Sequence, residues 1–516
     1  MKKLILIFAF MFNVNLFAQN NDWDFDKYKY PKKPVKEFQF LAYYINQAVM
    51  NNVYAKNELL KGQTVGRLFG GNTTSTGQES FYFEQRLIPF MIYQPKLLNG
   101  KALLRMSFEI DWTWGDASYG TGGNFGSAIS ADQVNLQTQN IELELKPFSR
   151  FTINLGLQRL FDTPYNPYRT FFSTMTKSAY RLMYWGTDAV GISARYDWEF
   201  SRLKAGYYQL YENNPNQNDD VTLWEAQYEF DVTPNWRQGV AAYYVYDRAN
   251  GEGGVSILGE GLNSNLANYN GVYRFPLEGK PYRADIFWLG THWNYNAEFT
   301  DGRYSVNGFI MSNLGVVNTL SGSDYSKKAD ILGVAANMRL GYKYGATTFD
   351  NVEADFIFAS GDGDDLSDGS YSGVITGNTW GSPASIFISS GAYLLYPHGN
   401  VVNRFISAIS DLSNAGYGQI GAVINFSKSF IPNRLNGKIG FAAANSVVSP
   451  RAGGNFMGWE INGMLSFVPA VFMNVELHAA YLSFGNYYDS PEVNGNVNER
   501  PKNPYTLFAV FKWLMF

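Results

Sequence analysis

Residues 103–114, LLRMSFEIDWTW, alternate apolar and polar side chains with a period of two. Leu104, Met106, Phe108, Ile110, Trp112 and Trp114 fall on one face, and Arg105, Ser107, Glu109, Asp111 and Thr113 on the other. That is a strand with one face in an apolar medium and the other in water. The pattern returns in GISARYDWEF (191–200), where Arg195 and Asp197 take the polar face, and in LWEAQYEFDV (223–232), where Glu225 and Glu229 do. A soluble sandwich also alternates, but its strands are usually about 5 to 6 residues long and its apolar face is built of Val, Ile and Leu. Here the runs extend over roughly 11 to 15 residues, with Trp and Tyr toward their ends, as tilted membrane strands with interfacial aromatic girdles require. The expected fold class is all-β, a transmembrane antiparallel β-barrel.

Eighteen such spans are predicted, near 38–50, 79–93, 101–115, 132–147, 151–161, 188–200, 202–212, 221–232, 236–247, 284–299, 303–313, 329–343, 346–360, 415–429, 435–446, 456–467, 471–484 and 504–516. Short connectors such as PFSR (147–150), TPNW (233–236), TDGR (300–303) and IPNR (431–434) interleave with long ones such as 249–283 and 361–414. With both termini periplasmic, every short turn falls on the periplasmic side and every long loop outside, the arrangement of bacterial outer-membrane barrels. The last run, LFAVFKWLMF, resembles a terminal assembly strand, although Lys512 interrupts one of its faces.

Composition narrows the class. Charged residues are 17% of the chain and the net charge is −4, so no basic surface is available for nucleic acid. Lys2 and Lys3, the apolar run Leu4 to Phe12 and Ala18 read as a signal peptide over 1–18. No later stretch is apolar enough for a membrane helix, and with no cysteine there are neither disulfides nor thiolate metal sites. Residues 19–36, with Tyr28, Tyr30, Pro31 and Pro34, read as a periplasmic or lumenal lead-in before a barrel over 37–516.

The faces opposite lipid supply the candidate pore lining: Arg86, Arg105, Glu109, Asp111, Arg195, Asp197, Glu225, Glu229, Arg339, Glu353 and Asp355, with Glu476 further on. Both signs occur, acids ahead, and such charges either tune a channel or lock neighbouring strands together. The later strands are lined lightly, by Gly421, Gly440, Ala442, Ala444 and Asn462, which leaves room for a loop or plug. In SGDGDDLSDGS (360–370), Asp362, Asp364, Asp365 and Asp368 lack the glycine and closing glutamate of an EF-hand. Calcium binding at these acids and a plain solvated turn both stay open, and no other cofactor is expected. GTGGNF (120–125) follows a strand and opens no helix, so it reads as a loop. A hydrolase would need a nucleophile beside a base; of His292, His398 and His478, only His478 has such company, near Glu476 and Ser466, and it reads as a wall residue.

Two stretches, LGLQRLFDTPYNPYR (155–169) and YWGTDAVGISARY (184–196), together with FASGD (358–362) and YPHG (396–399), resemble the outer-membrane alginate export family of porin-like barrels. The resemblance implies passage of an acidic polysaccharide, with Arg159 and Arg169 in an arginine conduit. The FAQ signal end and Tyr/Asn-rich loops are similar to proteins of Bacteroidota. The expectation is a non-enzymatic porin-like channel for hydrophilic solutes or saccharides in the outer membrane of a Gram-negative bacterium. Its alternative is a structural or accessory barrel of a multiprotein outer-membrane complex. Outer-membrane lipid and, in the second case, protein subunits would be its partners.

Overall fold

The computed structural model describes residues 36–55, 66–70, 73–114, 135–159, 188–212, 215, 219–251, 273–277, 279–364, 366–375, 391–396, 406–496 and 499–515. The signal peptide and all but the last residue of the lead-in lie outside them. Among the described residues, eighteen long strands form the wall. The first nine are β1 (Phe38–Ala55), β2 (Thr73–Tyr93), β3 (Ala102–Trp114), β4 (Asn135–Phe148), β5 (Phe151–Arg159), β6 (Asp188–Asp197), β7 (Ser201–Tyr211), β8 (Val221–Thr233) and β9 (Trp236–Asp247). The second nine are β10 (Tyr282–Tyr295), β11 (Tyr304–Ser321), β12 (Asp324–Lys343), β13 (Asn351–Ala359), β14 (Gln419–Ile431), β15 (Leu435–Asn445), β16 (Phe456–Phe467), β17 (Met473–Phe484) and β18 (Tyr505–Met515). Each pairs antiparallel with its neighbours in sequence, and β18 returns to β1, from Ala42 opposite Met515 to Asn51 opposite Thr506. The sheet closes on itself, so no strand edge is left to face hydrocarbon unpaired.

Period two then sorts the side chains. On β8, Glu225, Gln227 and Glu229 are buried inside the barrel while Trp224 between its neighbours stands exposed outside. Phe81, Leu332, Ile439 and Leu477 are exposed in the same outward sense, which makes the outer wall an apolar belt suited to lipid. Exposed Tyr93, Trp198, Trp236, Tyr304, Tyr342 and Trp513 sit toward the rim of short turns, where amphipathic rings meet the membrane–water boundary. One of those turns carries Asn99 and Gly100 with φ of 49° and 80°, the left-handed pair that a tight reversal demands.

All eighteen expected strands are present, but several run further. The stretch 314–328, outside the expected spans, continues β11 and β12 into a hairpin that turns at Gly322 and Ser323. Lys327, Lys328 and Asp330 are exposed there. Beyond the bilayer an outward side chain need not be apolar, so the alternation fades while backbone pairing continues. β13 stops at Ala359 opposite Ala335, and Ser370 and Tyr371 fold back to pair in parallel with Asp330 and Ile331 of the taller β12.

On the short-turn rim one carboxylate closes the connection 344–350. Asp350 accepts the Thr347 amide at 2.9 Å and its hydroxyl at 3.0 Å, and also the Ser429 amide of β14 at 3.0 Å, with Lys428 Nζ 3.1 Å away. These bonds, the Thr347 amide foremost, hold the carboxyl well below the usual carboxylate range. Asp350→Ala is expected to cost about 1.5–3 kcal/mol, read from the urea midpoint of the purified barrel. A depressed carboxylate stabilises fully above its unfolded pKa of about 3.9 and loses that contribution as pH falls below it. The gap between wild type and variant therefore closes on acidification below about pH 4 and is constant above it.

Candidate functional site: the lumen and its inward loop

The inner wall from β3 to β10 carries opposite charges paired along and across neighbouring strands. Arg105 of β3 binds both Glu142 and Glu144 of β4, and Lys146 lies 3.2 Å from Glu144. Arg195 and Arg202 flank Asp197 at 3.3 and 2.7 Å. Lys204 lies 2.6 Å from Glu225, which also accepts the Tyr208 hydroxyl at 2.6 Å. His292 of β10 meets Glu229 at 2.9 Å, and Arg237 meets Asp231 at 3.1 Å. On the far side Arg339 holds Asp355 at 2.6 Å. Pairs of this kind across a ladder fix the wall as much as they colour its potential.

The connection between β13 and β14 folds inward. Its segment 391–396 is buried within the barrel, with Ala392, Leu395 and Tyr396 fully enclosed. The anchor is Glu460 of β16, whose carboxylate accepts three consecutive backbone amides: Tyr393 at 2.8 Å, Leu394 at 2.8 Å and Leu395 at 2.6 Å. Asn462, two residues along the same face, donates to the Gly391 carbonyl at 2.7 Å and to Glu460 at 2.8 Å. The Tyr393 hydroxyl lies 3.0 Å from His478 Nδ1, and His478 Nε2 lies 2.8 Å from Glu476, which Lys512 of β18 meets at 2.7 Å. Residues 406–409 form a second inner layer, donating from Ala408 and Ile409 to the carbonyls of Leu394 and Leu395.

The lightly lined strands make this approach possible. A Cβ on Gly421 would fall 1.9 Å from the Tyr396 hydroxyl, so only glycine lets the segment lie so close to β14. The other limb rests on β10 and β11: the Trp288 indole donates to the Ile375 carbonyl at 2.8 Å, and the Ile375 amide to Asn313 at 3.1 Å. Around these contacts the inner faces of β10 to β13, including Ile286, Trp288, Val317 and Ile331, merge with Val374, Ile375 and Leu394 into one apolar core. The lumen is thus two-tiered: toward the long-loop rim it packs like a protein interior, while toward the short turns it is lined by ion pairs.

Among the expected lining residues, Arg86, Arg105, Arg195, Asp197, Glu225, Glu229, Arg339 and Asp355 point inward, all but Arg86 in the ion pairs given above; Arg86 is buried on β2 in register with Asp111. Glu353 is half-buried on β13 between Gly341 and Asn425. Glu109, Asp111 and Arg159 lie on strands, but their side chains, like Arg169 and His398, fall outside the described residues. Glu460 was missed, although the alternation in WEING, with exposed Trp459 and Ile461 around it, marks it as inward. Ser466 donates to Asn474 at 2.9 Å, whereas both ring nitrogens of His478 meet Tyr393 and Glu476.

In the acidic turn, Asp362 accepts the amides of Asp364 at 3.2 Å and Ser372 at 2.8 Å. Asp368 accepts the Ser370 amide at 2.7 Å and its hydroxyl at 2.8 Å, bonds that hold its carboxyl below the ordinary value. Asp365 lies outside the described residues, and among those described no three acidic or histidine side chains converge as a metal site.

The chain matches no family model and no curated protein. Its course is similar to solved barrels of Pseudomonas aeruginosa. OpdQ is 9% identical, with 93% of this chain and 97% of that one covered at a TM-score of 0.47. OccK2 (OpdF), solved in complex with glucuronate, is 10% identical, with 93% and 96% covered at 0.46. The outer membrane protein OpdK is 10% identical, with 92% and 98% covered at 0.45. The eighteen-strand closure stands on this chain's own strand register.

Glu460→Ala leaves three adjacent amides without their acceptor. Hydrogen–deuterium exchange of the 391–396 peptide is expected to accelerate by more than about tenfold, the equivalent of one charge-assisted bond. An unchanged rate in a folded barrel would mean that other contacts hold the segment.

Proposed function

We propose that this chain is an outer-membrane channel of a Gram-negative bacterium that passes small hydrophilic solutes, saccharides among them. The observation that carries this reading is the inward fold of 391–396 onto Glu460. An eighteen-strand wall is wide enough for an aqueous bore, and a tethered segment inside such a bore narrows it. Among the described residues, paired charges on the wall leave no uninterrupted ring of one sign, which favours selection by fit over selection by charge. An acidic polysaccharide, the passenger implied by the alginate-export resemblance, gains less support: Arg105, Arg195 and Arg339 are each engaged by carboxylates.

A second reading, an accessory barrel in an outer-membrane complex, draws on the apolar core that packs Val374 and Ile375 against β10 to β12. A lumen filled in that way serves a scaffold as well as a gate. Planar-bilayer recording separates the two. The channel reading expects discrete current steps in KCl, and larger or more frequently flickering steps for Glu460→Ala. Silence at every voltage sinks it, and stoichiometric protein partners recovered in mild detergent would then support the scaffold.

A further inference from the structure

The outer face of β10 to β12 changes character toward the long-loop rim. Phe287, Leu314 and Leu332, paired in one row, are exposed and belong to the apolar belt. Four residues further toward that rim on β10, about 13 Å of strand, Arg283 shares a row with Asn318 and Lys327. Tyr282 and Ala284 on either side of Arg283 are buried inside the barrel, so the half-buried arginine stands outward. Lys328 is exposed as the extra residue of a bulge, where the pairing jumps from Val317 with Ala329 to Asn318 with Lys327. Arg283 and Lys327 are two strand spacings apart, about 10 Å.

Most charges in this patch are already paired. Arg248, just past β9, sits over the Tyr246 ring, donates to the Ala284 carbonyl at 2.8 Å and meets Asp285 at 2.9 Å. Lys327 meets Asp330 at 2.8 Å, and Asp324 at the hairpin tip accepts the Ser323 hydroxyl at 3.3 Å. Arg283 and Lys328 are different, for neither meets a carboxylate among the described residues. The Arg283 guanidinium carbon stands 4.1 Å from the centre of the Tyr325 ring, which is itself held by its hydroxyl on Asn250. A guanidinium over a ring face still directs its N–H groups in its own plane, where a phosphate takes two of them at once.

We propose that Arg283 and Lys328 hold the phosphate of a phosphorylated glycolipid in the outer leaflet, its acyl chains lying along the row of Phe287, Leu314 and Leu332. The inference rests on the outer-membrane placement of the barrel and is independent of conduction. The long-loop rim is the external one, and there the outer leaflet is built of lipopolysaccharide, whose phosphates stand at the upper edge of the hydrocarbon. Asp285 and Asp330, between the apolar row and the cations, are each opposed by Arg248 and Lys327. A soluble anion would find the same two cations but would gain nothing from the apolar row beneath them.

The test is native mass spectrometry of the folded, detergent-purified barrel titrated with diphosphoryl lipid A, with dephosphorylated lipid A and inorganic phosphate as comparison probes. Saturable one-to-one binding of diphosphoryl lipid A is expected, with the dephosphorylated lipid about tenfold weaker or worse and no competition from inorganic phosphate. Arg283→Gln and Lys328→Gln are each expected to weaken binding about fivefold, and together more than about tenfold, as for cations at a membrane surface. Lys101→Gln, in the short turn between β2 and β3, is the control that removes a charge from the opposite rim and leaves binding unchanged. Equal binding of the dephosphorylated lipid, full competition by inorganic phosphate, or an equal loss in Lys101→Gln overturns the site. Unchanged affinity in the double variant overturns it as well. Should Arg283→Gln disturb the Tyr325 packing, the exposed Lys328→Gln decides alone. Loss of lipid A from the double variant supports the site whether or not the barrel conducts, and silence in planar bilayers removes only the channel reading.

Discussion

The backbone pairing of β1 with β18 is the constraint on which everything else in this chain depends. In hydrocarbon an unpaired amide has no water to turn to, so a sheet that crosses a membrane must find a partner for its first strand and its last. The ten-residue register from Ala42 opposite Met515 to Asn51 opposite Thr506 supplies that partner from the far end of the sequence. Once the wall is closed, alternate side chains are assigned to lipid or lumen, and the ordinary rule of burial is inverted. Isoleucine and phenylalanine go outward, and glutamate and arginine go to the interior.

That inversion creates a problem that the inner wall solves in two ways. From β3 to β9 the buried charges neutralise one another across neighbouring strands, as Arg105 does with Glu142 and Glu144. In the later strands the wall thins to glycine and alanine, and a connection of the chain itself enters to fill the room. Glu460 unites the two solutions. It is a buried carboxylate with no salt-bridge partner among the described residues, compensated instead by three backbone amides and the Asn462 side chain. An interior charge thereby becomes the post to which the loop is tied.

The strand positions were legible in the sequence because lipid enforces a strict code on the outward face; Trp224 or Ile461 can stand only one way. Strand ends were less legible, since β11 and β12 continue past the bilayer, where polar outward residues such as Lys327 are allowed. Lys512, which blurs the phase of the last strand, is inward and bound to Glu476. The lining glycines at 421 and 440 hinted at an occupant without naming it. What could not be read was the path of the loop, because its anchor is a contact between main-chain amides and a side chain 65 to 67 positions away. Main-chain donors leave no trace in residue identity. The charge pairs lay between these extremes: Lys204 and Arg202 follow from alternation in SRLKAGYY, but their particular partners are set by register.

The same anonymity of the amide shapes how such a barrel can change. Glu460 recognises positions 393–395 by their N–H groups alone, so at these positions any residue but proline keeps the tether. The fastening is thus separated from the surface it presents. A side-chain exchange along the segment leaves the tether in place and is felt first in the packing around Leu394, Leu395 and Tyr396 and in the Tyr393–His478 contact. A lineage carrying this arrangement can repack its constriction without first unmooring it.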